Sequence, residues 1–338
     1  MQLNLRQSIG NKAEISNLFP EGLNRIIHGD CLDVMKIIPE ESFDFIYIDP
    51  PYFTEKEFFL HTGQRYENHS FTDNWAGGLK EYLDWLEERL KSIHLLLKPE
   101  GVFFLHLDWH AVHYVKVILD KIFGYDNFQN EYIWYYSGGG ASKTRFARKH
   151  DNILFYSKSS TNWKFYADRV REEYKWTRGQ KRADGSDRDL EKGKLPDDVW
   201  EYHSLLPWAK ENVGYPTQKP LALLQKFILA TTDEGDVIGD FFGGGGTTAM
   251  AAQILNRRWI TSDISNISVS LIADRIAEYA TGINDGDKST SREKSKSRFE
   301  KILNDNNRLG TTEDLIKMVN QMMFPLIPGF TVEELINE

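Results

Sequence analysis

Residues 237–263 read VIGDFFGGGGTTAMAAQILNRRWITSD, and this stretch decides the fold. VIGDFF reads as a strand, GGGG as a tight loop, TTAMAAQILN as a helix and RRWITSDI as the next strand, with another helix from about Asn266. That order is one half of a doubly wound, mostly parallel α/β sheet. Glycines directly after a strand let a ligand approach the backbone, and the following helix offers free N–H groups at its start. Gly244, Gly246 and Ala249 fit G-x-G-x-x-A, and the acidic residue expected about twenty positions on for a ribose is Asp263. By itself the stretch is open to two readings, a nucleotide-type site and a structural glycine turn.

Far upstream, FDFIYI (Phe43–Ile48) is a near-continuous apolar run, the pattern of a strand buried on both faces. It ends in Asp49-Pro50-Pro51-Tyr52, where the prolines stop the strand and stiffen the loop. Ligands of open α/β sheets bind beyond the carboxyl ends of strands. An exocyclic amine on a base is a poor nucleophile, because its lone pair is delocalised into the ring. A carboxylate and a rigid backbone carbonyl, here Asp49 and Pro50, can accept its two N–H hydrogens and offset charge developing on the nitrogen. Tyr52 offers a face for stacking, a contact of about 1–3 kcal/mol. The alternative is a proline turn with a buried tyrosine, which leaves the glycine loop in the same chain without a purpose.

The rest of the chain fits around these two segments. Strands are expected at Asn24–His28, Val102–Leu107, Asn130–Tyr136 and Asn152–Tyr156, and helices at Cys31–Ile38, Leu79–Leu97 and Trp109–Phe123. Residues 53–78 read as a long aromatic and polar loop. A Pro-initiated helix falls within VGYPTQKPLALLQKFILATT. From Ser159 to Trp208 regular patterning weakens. Residues 283–298, INDGDKSTSREKSKSR, read as a polar linker of low complexity.

With 338 residues the chain is long enough for roughly two domains of about 150 residues. Apolar residues make up 41% and charged residues 27%, which excludes a wholly disordered or collagen-like chain. The single cysteine, Cys31, excludes an intrachain disulfide and a cysteine-rich zinc site. No run approaches the roughly 18 apolar residues of a membrane span, and MQLNLRQSIGNKAEIS lacks the apolar core of a signal peptide. A soluble, cytoplasmic protein is expected. The net charge is −9, but Lys143–Lys194 holds 15 Lys+Arg against 8 Asp+Glu. A basic island on an acidic body suits nucleic acid meeting one face, and a solvated loop is the plainer alternative.

Asp49–Tyr52 and Phe242–Gly246 together resemble the D/N/S-P-P-Y and F-x-G-x-G motifs of amino-group DNA methyltransferases. HGDCLDVM, FLHLDWHAVHYVKVILDKIFG, GGASKTRFARKHDNILFYSK and YPTQKPLALL also resemble family segments, so the likeness covers roughly residues 24–275. The motif order, catalytic first and glycine loop late, resembles the beta-type permutation. The HLDWH and SKTRFARKHD blocks look similar to enzymes related to type III modification subunits. The resemblance implies a circularly permuted class I S-adenosylmethionine-dependent methyltransferase fold. Its implied divisions are a catalytic half at 1–158, a target-recognition insertion at 159–208, a cofactor-binding half at 209–280, and a linker and tail of unassigned role at 281–338.

The resemblance also implies roles for individual residues. Asp49, Pro50, Pro51 and Tyr52 would form the target-amine site. Phe242, Gly244, Gly246 and Thr247 would line S-adenosylmethionine, Asp263 would accept its ribose hydroxyls, and Asp30 would contact its adenine amine. Thr217, Gln218 and Lys219 would flank its methionine end, with Lys219 facing the carboxylate or, alternatively, standing as a solvated helix lysine. Adenine-N6 in duplex DNA is the expected target, and cytosine-N4 the alternative. Lys143, Arg145, Arg148, Lys149 and Arg178 are candidates for DNA contact, beside Trp163, Tyr174 and Trp176. A homodimer or a restriction subunit would be compatible partners. A nicotinamide or flavin oxidoreductase would share the glycine loop but has no use for D-P-P-Y or the basic island. A silent DNA-binding subunit would not need both motifs, and RNA or protein amine methyltransferases typically resemble N-P-P-Y in the opposite order.

Overall fold

The computed structural model describes residues 3–5, 24–60, 68–136, 141–174, 193–205, 209, 211–280 and 330–337. In chain order the elements begin with β1 (Leu3–Leu5), β2 (Asn24–His28), α1 (Cys31–Ile37), β3 (Phe43–Ile48), β4 (Lys56–Leu60) and β5 (Asn68–Asp73). Next come α2 (Gly78–Leu96), β6 (Leu97–Leu107), α3 (Val112–Phe123), β7 (Phe128–Tyr135), β8 (His150–Ser157) and β9 (Val199–Glu201). The last are α4 (Leu221–Thr231), β10 (Val237–Asp240), α5 (Thr247–Ile254), β11 (Arg258–Asp263), α6 (Asn266–Ala280) and β12 (Phe330–Asn337).

Ten of these strands form one sheet in the order β1-β12-β2-β11-β10-β3-β6-β8-β7-β9. From β12 to β6 every neighbouring pair is parallel, and β8 then runs antiparallel to both β6 and β7. From Phe45 to Ile48 the residues of β3 alternate between two cores, as a period of two requires, and Phe43, before the register shift, joins the core of Ile46 and Ile48. Phe45 and Tyr47 meet Leu224, Phe227, Met250 and Ile272 from α4, α5 and α6. Phe43, Ile46 and Ile48 meet Val34, Leu86, Leu90 and Val115 from α1, α2 and α3. α2 buries residues at three- and four-residue spacing, among them Tyr82, Leu86, Arg89, Leu90 and Ile93, whereas α5 is buried at every position from Thr247 to Ala252. The result is a three-layer α/β/α sandwich.

The chain passes from β2 to β3 through α1, yet β11 and β10 lie between them in the sheet. This is the permuted order, with the central strands supplied by the second half of the chain. The connection after β10 leads to β11 on one side, and that after β3 leads to β6 on the other. Such divergence opens a crevice at the carboxyl edge between β10 and β3.

Three expectations change. Residues 53–78 are not all loop, because β4 and β5 pair as an antiparallel hairpin with a register irregularity at Phe58/Phe59. The strand after α2 starts at Leu97 rather than Val102, with Leu97 paired to Phe43 before the ladder shifts. Within 281–338, β12 pairs in parallel with β2 and antiparallel with β1. Within 159–208, β9 extends the sheet beside β7. Arg178 and Trp176, and the linker at 283–298, lie outside the described residues. Among the described residues no helix is long and apolar enough to cross a membrane.

Candidate active site

The pairing of Ile238 with Phe45 and Gly239 with Ile46 brings β10 and β3 out at the same edge of the sheet. Asp49–Tyr52 and Phe241–Gly245 therefore face each other across a cavity of about 470 Å³. Asp30, Asp49, Pro50, Pro51, Tyr52, Lys219, Phe242, Gly244, Thr247 and Asp263 all line it. Gly246 is not in the wall but caps α5 from a left-handed conformation, with φ 74°.

The loop after β3 is pinned from behind. Phe53 has φ 64°, a conformation that a residue with a side chain adopts at a cost of about 1–3 kcal/mol. Asp73, at the end of β5, holds it there. Its Oδ1 accepts the Phe53 N–H at 3.0 Å and the Trp75 indole N–H at 2.9 Å. Its Oδ2 accepts the Thr54 N–H at 2.6 Å and the Thr54 hydroxyl at 2.7 Å. The Tyr82 hydroxyl donates to the Pro51 carbonyl at 2.8 Å. Among the described residues no hydrogen bond engages the Pro50 carbonyl, which leaves it available to a ligand.

Asp49 carries two partners, one at each oxygen. The Tyr52 hydroxyl donates to Oδ1, and Lys219 Nζ donates to Oδ2 at 2.5 Å. The Lys219 side chain is only 7% exposed and that of Asp49 18%, so the pair is mostly desolvated. Lys219 also donates to the Thr217 carbonyl at 3.1 Å, and Thr217 itself has φ 63°. Gln218 braces this turn by accepting from the Val213 N–H and donating to the Glu211 carbonyl. Burial, and then Asp49, raise the Tyr52 phenol well above its usual range, so it stays protonated as the donor.

Behind Tyr52 stands a buried polar row. Its ring lies over that of His106, with centroids 5.9 Å apart and planes at 22°. His106 is fully buried, with Nδ1 2.8 Å from the Tyr47 hydroxyl and Nε2 3.2 Å from Asp151 Oδ2. Burial alone would raise the Asp151 carboxyl, but the bond and charge of His106, the Lys219 charge and the Tyr136 hydroxyl together hold it below its usual value. An ionised Asp151 only accepts, so Nε2 carries the proton. Asp151 Oδ1 accepts the Tyr136 hydroxyl at 3.1 Å.

Across the cavity, the glycine loop leaves no room for side chains. A Cβ on Gly243 would stand 2.6 Å from Thr261 Oγ1, and one on Gly246 2.9 Å from Ile272. Asp263 Oδ2 accepts the Gly244 N–H at 2.7 Å, and Oδ1 accepts the Ser265 N–H at 2.8 Å. Burial raises the Asp263 carboxyl despite these bonds. It pushes Asp240, beneath the loop, to about 7, with Asp49 and Asp263 adding to the effect. No side chain caps α5, so its first turn presents backbone donors beside Thr247 and Thr248. Asp30 caps α1 through the Leu32 N–H and pairs with Arg89 at 3.1 Å.

The basic candidates do not enter the cavity. Lys143, Arg145 and Arg148 are exposed and Lys149 is half-buried, all between β7 and β8. The Arg148 guanidinium lies 3.3 Å from the centroid of the Trp109 ring. Sequence reasoning missed Asp73, Tyr82, His106 and Asp151. For His106 a signal existed, since one polar residue within VFFLHL must find a buried partner.

The comparisons agree with this geometry. A family model described as DNA methylase, of the N6/N4 type, matches residues 43–274. Type II methyltransferase M.HpaI of Haemophilus parainfluenzae is 29% identical over 268 residues, which span 79% of each chain. DNA adenine methyltransferase YhdJ of Escherichia coli (strain K12) is 30% identical over 247 residues, 71% of this chain and 78% of that one. Neither name is that of a type III modification subunit. Among solved structures, the cytosine-N4-specific PvuII DNA methyltransferase superposes with a TM-score of 0.56 at 20% identity, covering 83% of this chain and 93% of that one. With the family match spanning most of the chain and both motifs meeting in one cavity, the protein belongs to the N6/N4 DNA methylase family.

Proposed function

We propose that the protein transfers a methyl group from S-adenosylmethionine to the N6 amine of adenine in duplex DNA. The observation that carries this reading is the opposition of Asp49 and the glycine loop across one cavity at the sheet's switch point. The residues suit the methyl donor. In the cavity wall a Cβ on Gly244 would stand 3.2 Å from Tyr215, and Asp263 has lone pairs left for ribose hydroxyls. Asp30 keeps 38% of its side chain open for the adenine amine. The acidic side chains Asp49 and Asp263 in the cavity wall suit a cationic sulfonium. When bound, the donor supplies an electrophilic methyl group that the amine nitrogen takes in one in-line displacement.

The chain's own residues hold the target. An adenine turned out of the helix stacks on Tyr52 and gives one amine hydrogen to Asp49 and the other to the Pro50 carbonyl. Each Asp49 oxygen already has one donor, so the amine takes a remaining lone pair or replaces Tyr52 or Lys219 at one of them. A Lys219 displaced in this way is a cation available to the methionine carboxylate. Aspartate as the first motif residue and the adenine enzyme YhdJ as a relative support adenine over cytosine. The fold likeness to the cytosine-N4 enzyme, at 20% identity, carries no substrate.

The test is methyl transfer from labelled S-adenosylmethionine to unmethylated genomic DNA, followed by mass spectrometry of the nucleosides. N6-methyladenine is the expected product. N4-methylcytosine would overturn the choice of base but keep the amine chemistry, and absence of any methylated nucleoside would overturn the reading.

A further inference from the structure

We propose that Phe146 is the wedge that enters the duplex as the target base leaves it, an assignment that rests on the DNA methyltransferase reading above. Isolated apolar residues on a surface are ordinary, so exposure alone would carry nothing. Phe146 differs in degree, in company and in place. It is 99% exposed, against 74% for Tyr125, the next most exposed large hydrophobic among the described residues. In the free protein its ring gains no burial. Lys143, Arg145 and Arg148, all exposed, flank it within five positions, so a polyanion drawn to the loop meets the ring as well.

The loop is also aimed. It leaves the sheet between β7 and β8, at the carboxyl edge of β6. β8 lies two strands from β3, about 10 Å at the usual strand spacing. Its base is tied to the target-amine site by the Tyr136 N–H to the Lys149 carbonyl, at 2.9 Å, and by Asp151, which joins Tyr136 to His106 under Tyr52. Next to this base, two residues from Phe146, Arg148 is docked on Trp109, just beyond the end of β6. A ring held in this way, beside the pocket that receives the base, can fill the gap the base leaves and stack on its former neighbours.

The test uses duplexes carrying the site read from the wild-type protein's own methylated product, with either the normal partner or an abasic site opposite the target. On the matched duplex, Phe146→Ala should lower kcat/KM roughly 10- to 100-fold, the scale of unpairing one base. On the abasic duplex, where little remains to be unpaired, the deficit should shrink to within about threefold. Phe146→Trp should restore the matched rate. A matched rate within about threefold of wild type, or an equal loss on both duplexes, would overturn the wedge. Wild-type protein that methylates neither duplex would instead overturn the underlying reading, and the wedge with it.

Discussion

Asp73→Asn tests whether the target-amine loop is held from outside the motif. Asp73 is 1% exposed, and both its oxygens accept from the loop or from Trp75. Asparagine can keep an oxygen for Phe53 and Trp75, but it then presents an NH2 group to the Thr54 N–H, donor against donor, while the Thr54 hydroxyl can turn to accept. A hydrogen bond to a charged acceptor contributes about 1.5–3 kcal/mol, which is the scale of the loss at the Thr54 N–H. Phe53 keeps its own bond, but its left-handed conformation loses the support of the Thr54 bonds beside it. If the loop stays ordered only part of the time, kcat should fall about 10- to 100-fold, at about 1.4 kcal/mol per tenfold. Asp73 makes no hydrogen bond to the glycine loop, so the dissociation constant of the methyl donor should move less than about threefold. Single-turnover methylation, calorimetric titration of the donor and a melting curve separate these effects. A variant with wild-type turnover, or one that loses donor affinity in proportion to rate, would refute the argument.

Three other substitutions probe the same site. Asp49→Asn keeps an oxygen for Lys219 and should cut transfer by about 10²–10³-fold or more while leaving donor binding nearly intact, as equilibrium binding beside kinetics would reveal. His106→Ala should raise KM for DNA and weaken fluorescence of a target-site 2-aminopurine. His106→Gln, which can still donate to Asp151 and accept from Tyr47, should recover much of both, whereas equal loss in the two variants would deny His106 a positioning role. Asp240→Asn should stabilise the protein more in alkaline than in acidic solution. The folded carboxyl titrates near 7 and the free one near 3.8. Between these values only the folded state keeps the proton, so wild-type stability declines as pH rises towards 7. Above that the buried charge costs roughly 4 kcal/mol. Of that cost about 1.6 kcal/mol is already present at pH 5, so the denaturant midpoints of variant and wild type should diverge more at pH 8 than at pH 5.

Legibility in the sequence tracked the range of the interactions that fix each feature. β2 and β3 stand at the residues their apolar runs marked, because a strand buried on both faces writes its pattern locally. The hairpin of β4 and β5 was hidden because KEFFL and NHSFTD mix aromatic and polar residues with no clean alternation. The first strand of a pair is decided by its partner as much as by itself. β12 is an extreme case, since its place in the sheet depends on β2, some three hundred positions earlier.

The site divides in the same way. D-P-P-Y and the glycine loop were legible because each needs particular residues at consecutive positions: a rigid carbonyl beside a carboxylate, or a turn without side chains. Asp73 was not, because nothing in HSFTDNW distinguishes a buried hub from a solvated turn aspartate until Phe53 and Thr54 fold onto it. Lys219 shows the limit most clearly. Its charge was legible, and so was a destination for it, the carboxylate of a ligand. The structure pairs it with Asp49 instead. One buried cation can serve two anions in succession, and residue type alone does not state which it holds first. If Lys219 must leave Asp49 before an amine can bind there, donor and target base are coupled through a single ammonium group. Lys219→Met should then weaken the dependence of base binding on the donor, measured as 2-aminopurine fluorescence with and without S-adenosylmethionine. A dependence unchanged in that variant would mean that Lys219 does not yield to the amine and does not couple the two ligands.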